Sequence, residues 1–265
     1  MNRFVRTVGK ALARYLNQPI RRYEPYAVVD PAVLAEVLQP ADILLVDGNT
    51  RISTAIKYLT QSTWSHAAMF VGDALKGDGI DREFPTLIEA DVESGVIAVH
   101  LKKYAAFNTR ICRPVGLTAE DQRRVVEYMV ARIGHAYDLK NIVDLARYLL
   151  PTPPVPVTWR RRMIAFGSGD PTRAVCSTLI AQAFQSVHYP ILPCIERQRV
   201  LARDKLHYTE KEILHIRHFS LFTPRDFDLS PYFRVIKPVI EADFNYRNLA
   251  WHDEIQPQDP GVDST

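Results

Sequence analysis

Apolar positions near the start of the chain recur with a helical period. At about 100° per residue, Phe4, Val5, Val8, Ala11, Leu12, Tyr15 and Leu16 fall within an arc of about 140°. Arg3, Arg6, Lys10 and Arg14 lie opposite, so the pattern predicts an amphipathic helix over 2–17, ended by Pro19. The pattern then changes to short apolar runs closed by turn residues, the signature of strands. Asp42–Val46 ends at Asp47-Gly48-Asn49, and Ala67–Val71 ends at Gly72-Asp73. Leu87–Ala90, Val96–Val99 after Ser94-Gly95, and Thr109–Cys112 complete a predicted antiparallel meander with short connections, and 51–60 reads as a helix.

Helical spacing returns further on. Thr118 with Asp121 resembles a capping box, followed by Val125, Val126, Met129, Val130 and Ile133 before Gly134. Asp138 is placed to cap a further helix to about Leu150. Pro151, Pro153, Pro154 and Pro156 predict a stiff loop, and Trp159-Arg160-Arg161-Arg162 is a second basic cluster. Ser177–Phe184 reads as a buried helix that begins at or beside Cys176, and Thr223–Phe227 as a turn and cap. From about residue 253 the chain is acidic and Pro-containing, which predicts disorder. Strands followed by helices give an α+β class.

Composition narrows this picture. The 265 residues are 47% hydrophobic and 24% charged, enough to bury a sizeable core. A net charge of +3 gives no nucleic-acid footprint. The distribution says more than the sum. No acidic residue precedes Glu24, and Arg21 and Arg22 extend the basic run. Such a helix can lie on an anionic membrane surface through residues 1–22, or pack on the protein's own core. No run is long and apolar enough to span a bilayer, and the basic residues interrupt any secretory signal. Three unclustered cysteines argue against a disulfide framework, and no zinc-ligand spacing or cofactor motif occurs. The expected compartment is the cytoplasm, with a peripheral position on the inner membrane face as the membrane-bound variant.

Candidate chemistry centres on Cys176. A thiol opening a helix meets free backbone N–H groups and the positive end of the helix dipole, which favour the thiolate and can serve an oxyanion. Cys112 in a strand and Cys194 after Pro193 suit inert packing better. Of eight histidines, His66 precedes Ala67 and Ala68, whose size would let a helix approach closely. Glu89 sits inside the apolar run Leu87–Ala90, where a carboxylate needs a partner. If its strand pairs with that of His66, the two can face the same side. Asp91 and Glu93 are alternatives for the same role.

The order His on a strand, Glu on the next strand, then Cys at a helix start resembles the permuted papain-like cysteine hydrolases of the YaeF/YiiX type. This is a circularly permuted branch of the NlpC-like superfamily. The matching segments are Pro40–Leu44, Trp64–Gly72, Leu87–Ala90 and Val175–Ile180, with Gly134–Asp138 similar to a helix-connecting segment. The resemblance covers roughly residues 38–235. Ala41 stands where the family usually has Gly. The resemblance implies a permuted papain-like core, with Cys176 as nucleophile, His66 as general base and acid, and Glu89 orienting the imidazole.

The expected organisation is a basic helix and linker over 1–37, the hydrolase domain over 38–252 and a tail over 253–265. The expected activity is thiol-dependent hydrolysis or acyl transfer on an amide or ester through a thioester. Three alternatives stay open: a cell-wall-type peptide amidase, a lipid acyl hydrolase or transferase, and a non-catalytic lipid-binding module.

Overall fold

The computed structural model describes residues 15, 17–20, 23–76, 84–91, 94–135, 175–201, 208–215 and 217–241. Its centre is a six-stranded antiparallel sheet in the order β4-β3-β2-β1-β5-β8. The strands are β1 (Ile43–Val46), β2 (His66–Phe70), β3 (Leu87–Asp91), β4 (Gly95–Val99), β5 (Thr109–Pro114) and β8 (Phe233–Ile236). A separate hairpin pairs β6 (Cys194–Leu201) with β7 (Tyr208–His215). The helices are α1 (Pro31–Val37), α2 (Arg51–Thr60), α3 (Ala119–Val130), α4 (Val175–Ser186), α5 (Pro224–Leu229) and α6 (Pro238–Glu241).

Every residue of β1 is buried. A strand buried on both faces and both edges reads as a continuous apolar run, which is what Ile43-Leu44-Leu45-Val46 supplies. Its side chains still alternate. Ile43 and Leu45 join Met69, Ile88, Val125, Met129, Leu179 and Phe184 in one core, where α3 and α4 cover the sheet. Leu44 and Val46 join Phe70, Leu87, Ile111, Leu34 and Leu101 in the other.

The predicted meander holds for β1 to β4 and then departs. β5 returns past the first three strands and pairs with the free edge of β1, Ile43 opposite Cys112. A buried β1 needs hydrogen-bond partners on both edges, and only a returning strand provides the second. β8 then adds to β5. Helix starts follow their local signals. Thr118 Oγ1 accepts from the Asp121 N–H at 3.1 Å, and Thr223 and Asp226 form a reciprocal capping box. Asp30 caps α1, with Pro31 at its first position.

The segment read as a linker also docks. Leu34 enters the second core with Val29 and Val37 packed against it, and Asn108 Oδ1 accepts from the backbone N–H groups of Tyr26 and Ala27. Ala41 adopts φ of 68°, the left-handed region that glycine enters without strain, which is the physical basis of the Gly this position resembles. The helix predicted over 2–17 lies outside the described residues apart from Tyr15 and Asn17. The helix after Asp138, the proline loop, the Trp159–Arg162 cluster and the C-terminal tail lie wholly outside them.

Candidate active site

Three elements deliver the residues singled out above. Cys176 is the second residue of α4 and is buried against Ala67 and the first core. His66 opens β2, opposite Val46 of β1. Glu89 lies in β3 opposite Ala68, so His66 is its diagonal neighbour on the same sheet face. The pair closes at 3.1 Å between His66 Nε2 and Glu89 Oε2. Asp91, the alternative, instead accepts from the Ser94 N–H at 2.8 Å and shapes the turn into β4. Glu93 is outside the described residues.

The electrostatics are those of a coupled pair. Burial disfavours charge on His66. The negative charge of the Cys176 thiolate and hydrogen bonding with it, then the bond and charge of Glu89, outweigh burial and push the imidazole up to about 10. Burial likewise opposes the Cys176 thiolate. The charge and hydrogen bonding of His66, with the Ala67 backbone N–H and the Ser177 hydroxyl, hold the thiol below its ordinary value. Burial works against ionisation of Glu89 too, but the His66 bond and charge and the Lys103 ammonium bring it down to about 2. By contrast, burial pushes the thiol of Cys112 up. Cys194 opens β6, and its side chain lies outside the description.

Two residues at this site were not singled out from the sequence. Lys103 Nζ donates to Glu89 Oε1, and Tyr104 Oη donates to Glu89 Oε2. Both sit in the 3₁₀ turn Leu101–Tyr104, and the Tyr104 and His66 rings lie 6.1 Å apart. Their only signal in the sequence is a polar pair after β4, which nothing local distinguishes from a solvated turn.

A pocket of about 400 Å³ opens beside the chain leading into His66. Its lining includes Gln61, Ser62, Trp64, Thr109, Arg110 and Arg225. Trp64 Nε1 donates to Asp228 at 3.1 Å, and Arg110 holds the same carboxylate with contacts of 2.7 and 3.0 Å. Among the described residues, no group of three or more His, Cys, Asp or Glu gathers to hold a metal ion.

An antiparallel sheet covered by a helix that carries a cysteine in its first turn defines the class: a permuted papain-like fold. Residues 37–148 match the family model of the permuted papain-like amidase enzymes, YaeF/YiiX, C92 family, the family that the sequence resembles. The matched segment contains His66 and Glu89, and Cys176 lies beyond it. The family is one of amidases, and hence of hydrolases. Among solved structures, the chain is similar to the crystal structure of metalloprotein yiiX from Escherichia coli O157:H7, with 18% identity and a TM-score of 0.43. That similarity covers 75% of this chain and 96% of the other. No curated protein matches the chain.

Proposed function

We propose that the protein is a thiol-dependent amidase in which Cys176 is the nucleophile, His66 the general base and acid, and Glu89 the group that orients His66. The reading rests on one arrangement: the thiol at a helix start, the imidazole beside it, and the buried carboxylate on the imidazole's far nitrogen. Because Nε2 is engaged by Glu89, the thiol proton passes to Nδ1. The Sγ attacks the acyl carbon, and the first free N–H groups of α4 receive the oxyanion. The tetrahedral adduct expels the amine, which takes its proton from Nδ1, and leaves a thioester. His66 then deprotonates a water, which attacks the thioester and releases the acid and the thiol.

The family whose model matches residues 37–148 is one of amidases, which favours an amide substrate over an acyl chain. A second reading, hydrolysis or transfer of lipid acyl groups, is favoured by the acid-free basic pattern of residues 1–22, which would place the enzyme peripherally on a cytoplasmic membrane face. Among the described residues no helix is long and apolar enough to cross a membrane.

Intact mass after incubation with acyl-peptides, or with mixed phospholipid vesicles, tests both readings. The expected result is a peptide-derived acyl adduct that Cys176→Ala removes. A lipid-derived adduct alone, with vesicle binding lost on deleting residues 1–18, would favour the second reading. No adduct from either source, with a thiol inert to alkylation, would leave a binding module that keeps the fold.

A further inference from the structure

Glu89 is the most demanding charge in the site. Its side chain is 1% exposed, and a carboxylate removed from water requires compensation. His66 supplies an opposite charge only while the imidazole is protonated; the neutral ring still donates from Nε2. Once His66 has given its proton to the leaving group, the nucleophile is a neutral thioester and the imidazole is neutral as well. At that stage of the cycle His66 offers Glu89 only the Nε2–H hydrogen bond of a neutral ring, and the opposite charge must come from elsewhere.

Two other groups do face it. Lys103 Nζ bonds Oε1, and Tyr104 Oη bonds Oε2, the oxygen that His66 Nε2 also uses. The division differs by chemistry. Lys103, whose side chain is 44% exposed, brings a positive charge to Oε1. Tyr104 is buried and brings a neutral donor to Oε2. Its burial and the nearby charge of Glu89 hold the phenol well above its ordinary value, so it remains a donor throughout the working range.

We propose that Lys103 and Tyr104 are positioning residues for the catalytic pair: together they keep Glu89 ionised and its Oε2 fixed against His66, and they moderate how tightly that carboxylate holds the imidazolium. The inference rests on the assignment of His66 as the base. Each donor takes up part of the carboxylate's negative charge. Without either, more of that charge falls on His66, whose proton becomes harder to release to a leaving group. Among the described residues, the charged and titratable groups around this cluster are Cys176 and Glu89 against His66, Lys103 against Glu89, and Glu89, Cys176 and Asp91 against Tyr104.

The test is an NMR titration of the His66 ring in the full chain, run beside the pH dependence of Cys176 alkylation by chloroacetamide and steady-state kinetics on an acyl-peptide. Tyr104→Phe keeps the ring and removes only the donor, and Lys103→Met keeps the stem and removes the charge. Each is expected to raise the His66 midpoint by about half a unit to one unit. Each should also lower kcat several-fold with KM unchanged. Lys103→Arg, which restores a cation, should return the midpoint to within a few tenths of a unit. Folded variants with an unmoved midpoint would overturn the proposal, as would a change in KM alone. If Tyr104→Phe does not fold, Lys103→Met, on a half-exposed side chain, still decides the matter. The titration and the alkylation need no turnover. Shifted midpoints without hydrolysis of any substrate would therefore leave this inference standing while sinking the amidase reading.

Discussion

At the scale of single residues, Glu89 illustrates how environment decides chemistry. In the sequence it is one acidic residue in the run Leu87-Ile88-Glu89-Ala90. In the fold, burial alone would raise it, yet His66 and Lys103 bring it down to about 2 from an ordinary 4.5. A carboxyl depressed in the folded state adds stability that is present above its unfolded value and is lost as pH falls through the folded one. The window is therefore pH 4.5 down to 2, and the contribution is on the order of 3 kcal/mol. Glu89→Gln is expected to be less stable than the native chain at pH 7 by about that amount, with the gap narrowing below about pH 4.5 and closing only as pH falls through about 2. Urea unfolding across this range reads it directly, and parallel stability curves for the two proteins would contradict it.

Among the secondary-structure elements, the approach of α4 to β2 matters most for the site. Ala67 of β2 and Ala181 and Ala183 of α4 are fully buried and share one core with Cys176. Small side chains on both surfaces let the helix start come close to the His66 end of the strand. Ala67→Leu would place three more carbons at this contact, and such overpacking typically costs about 1–3 kcal/mol. The chemical effect should exceed the stability effect. With α4 pushed outward, the Cys176 thiol loses the charge and hydrogen bonding of His66 that hold it low. Alkylation of Ala67→Leu is expected to follow an ordinary thiol titration, and urea unfolding should show the modest loss. A variant whose thiol still ionises at the native pH would show that close approach is not what sets it.

Over the whole molecule, α4 joins regions far apart in the chain. Phe184 on its inner face packs edge-on to Phe233 of β8 with ring centroids 5.2 Å apart, and lies 5.4 Å from Tyr189. Phe227 of α5 adds to Phe233 at 5.7 Å. This cluster fastens the C-terminal elements to the helix that carries Cys176. From the same end, Asp228 reaches back to Trp64 and Arg110 beside the pocket. Phe184→Ala should therefore destabilise the molecule by about 3–5 kcal/mol, the usual cost of emptying a buried aromatic site. Thermal or urea unfolding measures this. The transition should remain single, because the cluster ties the C-terminal elements into the main core. A separate early transition of the C-terminal part would show that they are not coupled.

Local signals determined much of this protein without the fold. Short apolar runs ended by Asp-Gly and Gly-Asp turns mark β1 and β2, and Ser94-Gly95 separates β3 from β4, because strand periodicity and turn chemistry act over only a few residues. Thr118 and Thr223 announce their helices for the same reason. The order of His66, Glu89 and Cys176 was also legible, as a resemblance, and their catalytic roles remain the proposal that the experiments above address. Other features are decided only by tertiary structure. The return of β5 to the edge of β1 depends on which strand still needs partners, a property of the assembled sheet. Lys103 and Tyr104 gain their meaning from a turn that lays them on a carboxylate fourteen and fifteen residues earlier in the chain. Whether that carboxylate is charged depends on burial and on those neighbours together, and no stretch of sequence contains them as a unit.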